Sequence, residues 1–299
     1  MNKHISKNHL LLHLIVFIWG WAPIFGKQIT LEALQLVWFR IGITIVAIAA
    51  YNLLIRQKFT ISKKDYALLL LTGAVIAFHW FCFYHAIKVS NVSITLAAFA
   101  TGTFFTSITE PLFYKRKILW YEMLFGLLII AAIGFIFNIE TENKLGILFG
   151  VLAALTSSLF TVWNGLFIRR IEAPVISLVE LCGGFVALSI YLLFTNEFTE
   201  SFFQVSKNDW FFITFFSLVG TAFPYVASTN LLKKISPFTV TLTVNLETIY
   251  GIMFAFLIWR ESEQMTLSFY LATLFILLII IVNAVVKARL KSKSSLQIN

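Results

Sequence analysis

Ten stretches of about 20 largely apolar residues, set apart by short polar breaks, run the length of the chain. They lie near 9–27, 33–54, 66–87, 92–113, 119–138, 146–168, 174–195, 210–232, 238–259 and 267–287. A helix of that length crosses the hydrocarbon of a bilayer, where every backbone N–H and C=O must be satisfied within the chain. The expected fold class is therefore all-α, a polytopic membrane protein with ten transmembrane helices. Of 299 residues, 59% are hydrophobic and 12% charged, whereas a soluble domain carries about 25% charged residues. That balance excludes a disordered chain, a secreted disulfide scaffold and an ordinary cytosolic enzyme. The 32 Phe residues suit a surface solvated by lipid tails. The longest break, Asn196 to Asp209, is too short for a soluble domain. Cys82 and Cys182 sit within apolar runs and read as small buried side chains rather than disulfide partners or zinc ligands.

Lys and Arg set an orientation, because cytoplasmic loops carry the excess of positive charge. With the N-terminus in the cytoplasm, the inner segments hold Lys3, Lys7, Arg56, Lys58, Lys63, Lys64, Lys115, Arg116, Lys117, Arg169, Arg170, Lys233, Lys234, Lys287, Arg289, Lys291 and Lys293. The outer segments hold only Lys27, Lys88, Lys144, Lys207 and Arg260, and Arg40 lies inside a span. A multi-pass protein of the cell membrane with both termini cytoplasmic is expected. The net charge of +9 then reflects topology, and no nucleic-acid partner is expected. Lys3 and Lys7 precede the first run as in a signal peptide. That run contains Trp19, Trp21 and Pro23 and no small-x-small cleavage site, so it reads as a retained helix.

Two hinges resemble each other, Ala86 to Asn91 and Leu232 to Pro237, 146 residues apart. Each places lysine and serine between two apolar runs, and a Thr-rich run follows. This points to two five-helix repeats, 1–138 and 139–299. Five is odd, so the second repeat enters the membrane inverted relative to the first, an architecture of secondary transporters with a site near the midplane.

Further local patterns converge with this arrangement: Trp19-Gly20 with Lys27, Phe39-Arg40, the hinge from Ala86 to Asn91, Asn245-Leu246-Glu247, and Arg260-Glu261. With ten helices in about 300 residues, the chain resembles the drug/metabolite transporter superfamily, EamA-type. The resemblance implies a permease or exporter of amino acids, metabolites or drugs. It also implies a central cavity lined by helices one, three, four, six, eight and nine. Thr248 stands where the family carries a proline in helix nine, and Glu261 keeps the glutamate that follows. In helix four, Gly102 and Thr103 occupy the proline region, Pro111 lies further on, and Lys115-Arg116-Lys117 ends the span.

Ionisable side chains in hydrocarbon are costly and face a cavity or a partner. Glu247 lies about 15 Å into its span, near the midplane. It is a candidate for solute or proton binding, flanked by Thr243 and Tyr250, with Asn245 on a neighbouring stripe. Arg40 is also near mid-depth and stays charged, so it needs an anion or carbonyls. Glu180 is the corresponding position of the second repeat. An Arg40–Glu180 or Arg40–Glu247 pair is the structural expectation, with a solute carboxylate as the alternative. His79 lies near the midplane beside Trp80 and Tyr84; histidine can relay protons. Glu110 sits close to the basic run at Lys115 and is a candidate partner of Arg116. Trp19, Trp21, Trp163, Asn164 and Asn230 are candidate solute contacts, the tryptophans by stacking or by clamping a cation. Gly146, Gly150, Ala154 and Ser158 recur every four residues and suit close helix packing.

No HExxH, GxSxG, P-loop or paired-cysteine pattern occurs. The expectation is a secondary transporter and not an enzyme, without cofactor or metal. Its partners would be a small-molecule solute and the lipid bilayer, with homodimerisation left open. Two inverted halves would give alternating access, and Glu247 or His79 would couple protons. An intramembrane enzyme or a channel using the same buried polar groups is the alternative.

Overall fold

The computed structural model describes residues 3–296. The side chains of Lys3, Lys287, Arg289, Lys291 and Lys293, which entered the charge count, lie outside the described residues. All regular structure among the described residues is helical. In chain order the α-helices are α1 (Lys3–Trp19), α2 (Ala22–Gln28), α3 (Ala33–Leu54), α4 (Lys63–Val89), α5 (Val92–Phe99), α6 (Gly102–Tyr114) and α7 (Trp120–Ile139). The second half follows with α8 (Lys144–Phe167), α9 (Ala173–Phe194), α10 (Lys207–Phe215), α11 (Phe223–Leu231), α12 (Pro237–Val244), α13 (Leu246–Ile258) and α14 (Leu267–Leu296). A π-helical turn, Phe216–Ala222, joins α10 to α11. Among the described residues, eight helical stretches are long and apolar enough to cross a membrane; Met123–Ile139 and Leu267–Ile279 are apolar but shorter.

Four of the expected spans are interrupted rather than continuous. The first breaks at Gly20-Trp21, where Pro23 sits in the first turn of α2, a place where its missing N–H costs nothing. The fourth breaks at Ala100-Thr101 and the ninth at Asn245. The eighth is wound into the π turn just before Pro224, whose ring cannot coexist with a regular carbonyl four residues earlier.

The helix starts are written locally. Ser62 accepts from Asp65 N at 3.1 Å and Ser206 from Asp209 N at 3.0 Å. The two hinges recognised in the sequence use the same device: Asn91 accepts from Ile94 N at 2.8 Å, Ser236 from Thr239 N at 3.3 Å. Helices α3 and α9 end alike, on Arg56 and Asn196 with φ of 52° and 56°.

Glycines bring α4 and α9 together until their backbones touch. A Cβ on Gly73 would fall onto the Glu180 carbonyl, and one on Gly183 onto the backbone of Leu70. The small-residue stripe of α8 packs as its spacing suggests. Gly146 lies under Ser90, Gly150 under Ala98 and Thr95, and Ser158 bonds Thr109 at 2.6 Å. Helices α7 and α14 pack on each other through Ile129, Ile133, Phe269 and Ile276.

Contacts between loops fall into two sets. One links Lys27 to Glu263 (2.8 Å), Lys88 to the Ile29 carbonyl (2.5 Å), Thr30 to Asp209 (2.7 Å) and Thr266 to Glu140 (3.3 Å). The other links Arg170 to Asp65 (2.6 Å), Lys233 to Glu172 (2.7 Å) and Asn52 to the Pro174 carbonyl (3.2 Å). Two carboxylates each cap a helix of the other half. Glu263, fully buried, accepts from Val92 N, Ser93 N and Ser93 Oγ at 3.1, 2.9 and 2.8 Å. Glu110 accepts from Phe238 N at 2.7 Å and from Arg116 at 3.2 Å. The sequence assigned the family's glutamate to Glu261, which is exposed; Glu263, two residues on, turns inward instead.

Candidate functional site

A cavity of about 110 Å³ lies at the centre of the helices. By the same measure a single water needs roughly 10–15 Å³, so the space suits several waters or a small organic solute. Its wall draws on α1 (Trp19), α4 (His79, Trp80, Phe83, Tyr84), the α5–α6 break (Phe99, Gly102) and α8 (Ser157, Phe160, Thr161, Asn164). The π turn and α11 add Thr221, Tyr225, Ser228 and Thr229, and α12–α13 add Thr241, Asn245 and Glu247. Arg40 of α3 completes it.

Arg40 is held in a way the sequence did not suggest. It is 3% exposed, yet among the described residues no carboxylate lies within 4 Å of its guanidinium, so neither Glu180 nor Glu247 forms the expected ion pair. The guanidinium lies between two rings, 4.2 Å from the centroids of Trp80 and Phe216. Nε donates to Thr221 Oγ1 at 2.8 Å and Nη1 to Tyr84 Oη at 2.6 Å. Cation–π contacts of this desolvated kind are worth about 2 kcal/mol each. Arg carries five N–H donors, and these contacts use two of them. Among the described residues Nη2 has no hydrogen-bond partner and is not sealed from the cavity that Arg40 lines.

Glu247 starts α13 at the break in the ninth span, on the cavity wall. Among the described residues it has no hydrogen-bond partner, and its oxygens are not sealed from the cavity. Beside it, Asn245 donates to Thr103 Oγ1, and Thr248 donates to the Leu96 carbonyl at 3.2 Å. These bonds tie α12–α13 to α5–α6 at their facing breaks, so Glu247 is presented from a fixed rim.

His79 is tethered through Nδ1 to the Ala153 carbonyl at 2.8 Å. A carbonyl only accepts, so Nδ1 carries the proton and Nε2 is the side left for the cavity. Phe99 and Phe160 flank the ring, with centroids at 5.8 and 5.2 Å. Trp80 and Tyr84 present ring faces to Arg40 as well as to the space.

Several sequence candidates lie elsewhere. Trp21 stacks on Phe254 at 4.3 Å, and Trp163 meets Phe113 edge-on at 5.7 Å; neither lines the cavity. Asn230 is exposed and borders a separate lateral recess with Tyr51 and Glu172. Glu110 is engaged with Arg116 and Phe238 N, outside the cavity wall. Glu180 is fully buried behind Tyr225 and Asn164. Conversely, Thr221, Tyr225 and Phe216 were not singled out, although Thr221, Tyr225, Ser228 and Leu232 mark one helical stripe beside Pro224.

A family model described as the EamA-like transporter family matches the chain twice, over residues 6–138 and 144–285. A solved structure described as "Crystal structure of protein" aligns with a TM-score of 0.65 and 13% identity, covering 95% of this chain and 99% of that one. At that identity the likeness is one of fold. No curated protein matches the sequence.

Proposed function

Because the chain belongs to the EamA-like transporter family, a family of multi-pass membrane transporters, we propose that it carries a small organic solute bearing both a carboxylate and a cationic nitrogen, such as an amino acid. The observation that carries this reading is Arg40. It is a buried cation held by ring faces instead of a carboxylate, with unused donors facing the cavity that Glu247 also lines. A solute carboxylate would take the guanidinium fork, and an ammonium group would take Glu247. Trp19, Trp80 and Tyr84 would enclose the rest. The wall offers no charge surplus beyond this pair, which suits a solute of no net charge better than a simple anion or cation.

Ten spans, arranged as inverted repeats over 1–138 and 139–299, are part of the same proposal. Its support is the pairing of loops. Helix α3 starts beside Thr30, in the set that holds Asp209, whereas its counterpart α9 starts at Glu172, in the set that holds Asp65. Counterpart helices then run in opposite directions, and rocking one half on the other would open the cavity to each side in turn. The basic set of loops would face the cytoplasm of a cell membrane.

The test is a thermal-shift screen of the detergent-purified protein against amino acids, monocarboxylates, amines and nucleosides. Hits are followed by uptake into proteoliposomes. Zwitterionic solutes should stabilise the wild type and lose that effect in Arg40→Lys and Glu247→Gln. Stabilisation by monocarboxylates alone or amines alone would remove the two-ended site.

A further inference from the structure

One buried carboxyl is not used by the solute site. Glu180, at the middle of α9, is fully buried and does not line the cavity. Its Oε2 accepts from Tyr225 Oη at 2.6 Å and from Asn164 Nδ2 at 3.3 Å. Among the described residues its Oε1 has no partner, and neither has Asn164 Oδ1. Both are acceptors when the carboxyl is ionised, and a buried acceptor without a donor is costly. A proton on Oε1 removes the charge that an ionised carboxyl would leave there unanswered.

Among the described residues, no cationic side chain lies within 4 Å of this carboxyl. The element α4 meets Glu180 with the backbone of Gly73, and its His79 is tied to Ala153. Arg40 of α3 is taken up by Thr221, Tyr84 and its two rings. Helix α8 presents Asn164 and α11 presents Tyr225, the titratable group in contact. Ser177, one turn earlier on α9, is also buried without a partner.

We propose that Glu180 is a proton-binding site, read by the solute cavity through Tyr225 and Asn164, which contact the carboxyl and also form the cavity wall. Release moves the proton from Oε1 to water, leaving the carboxylate. The charged carboxylate then holds Tyr225 and Asn164 more tightly, withdrawing their polar atoms from the cavity. Coupling in this sense rests on the transport reading; the proton on Glu180 does not.

The two are separated by experiment. In purified protein, infrared difference spectra across a pH step should show a protonated-carboxyl C=O band. The band should be absent from Glu180→Gln and present in Glu247→Gln. Glutamine keeps the shape and the neutrality of the acid form. In proteoliposomes, Glu180→Gln should keep solute counterflow but lose accumulation driven by a pH gradient. For one coupled proton, a one-unit gradient is worth up to about tenfold accumulation. Gradient-driven accumulation surviving in Glu180→Gln, or a band lost in Glu247→Gln instead, would overturn the assignment. If no solute is carried by any variant, the transport reading falls, while the infrared band still decides the proton site.

Discussion

Arg40 and Glu180 stand at corresponding places in α3 and α9, two helices of equal length that end on the same left-handed turn. One is a cation facing the cavity between Trp80 and Phe216; the other is a carboxyl shut away behind Tyr225 and Asn164. The difference lies in what the neighbouring helices supply. At Arg40 the π turn places Thr221 and Phe216 against the guanidinium. At Glu180 the glycines of α4 and α9 bring backbone so close that no space for solute is left. A repeated scaffold thus holds two unlike sites, one open to solute and one closed to it.

Exchanging the two charges is the strongest way to break this comparison. An Arg40→Glu, Glu180→Arg double variant would be tolerated if the sites were equivalent. Instead, an arginine packed beside Gly73 and Gly183 should prevent folding, read as loss of a monodisperse peak in detergent. The next effect is Arg40→Ala, which should abolish solute-induced stabilisation and raise the Kd of any solute at least tenfold, about 1.4 kcal/mol, measured by calorimetry. Tyr225→Phe removes the shorter bond to Glu180 and should cost about 1–3 kcal/mol in denaturant unfolding. The smallest effects belong to Trp21→Phe and Asn230→Ala, which should leave uptake unchanged because both side chains lie off the cavity wall. A clear loss in either would redraw the site.

Hydropathy made the helices legible, since a bilayer demands long apolar runs wherever the chain crosses it. It did not reveal the interruptions at Ala100-Thr101 and Asn245, where no proline marks the break and apolar residues continue on both sides. Polar and aromatic residues within the spans drew attention to part of the wall: His79, Trp80, Tyr84, Asn164, Asn245 and Glu247 all line the central cavity. Direction around the helix axis was not legible. Trp19 ends α1 on the cavity wall, whereas Trp21, at the break before α2, turns aside to stack on Phe254. Trp163 and Asn230 each adjoin a wall residue, Asn164 and Thr229, and are turned from it by about 100°. The partner of Arg40 was misread because charge suggested a carboxylate, and ring faces leave no comparable mark in a chain with 32 Phe.

The exchanged helix caps bear on how the protein is made. The start of α5 is completed by Glu263, and the start of α12 by Glu110. During synthesis the first half is therefore left with unanswered amides at Val92 and Ser93 until more than a hundred and fifty further residues have emerged. Neither half is a finished product by itself. Two fragments cut within the Glu140–Lys144 turn and produced in the same cell should find each other in the membrane, while each produced alone should be degraded.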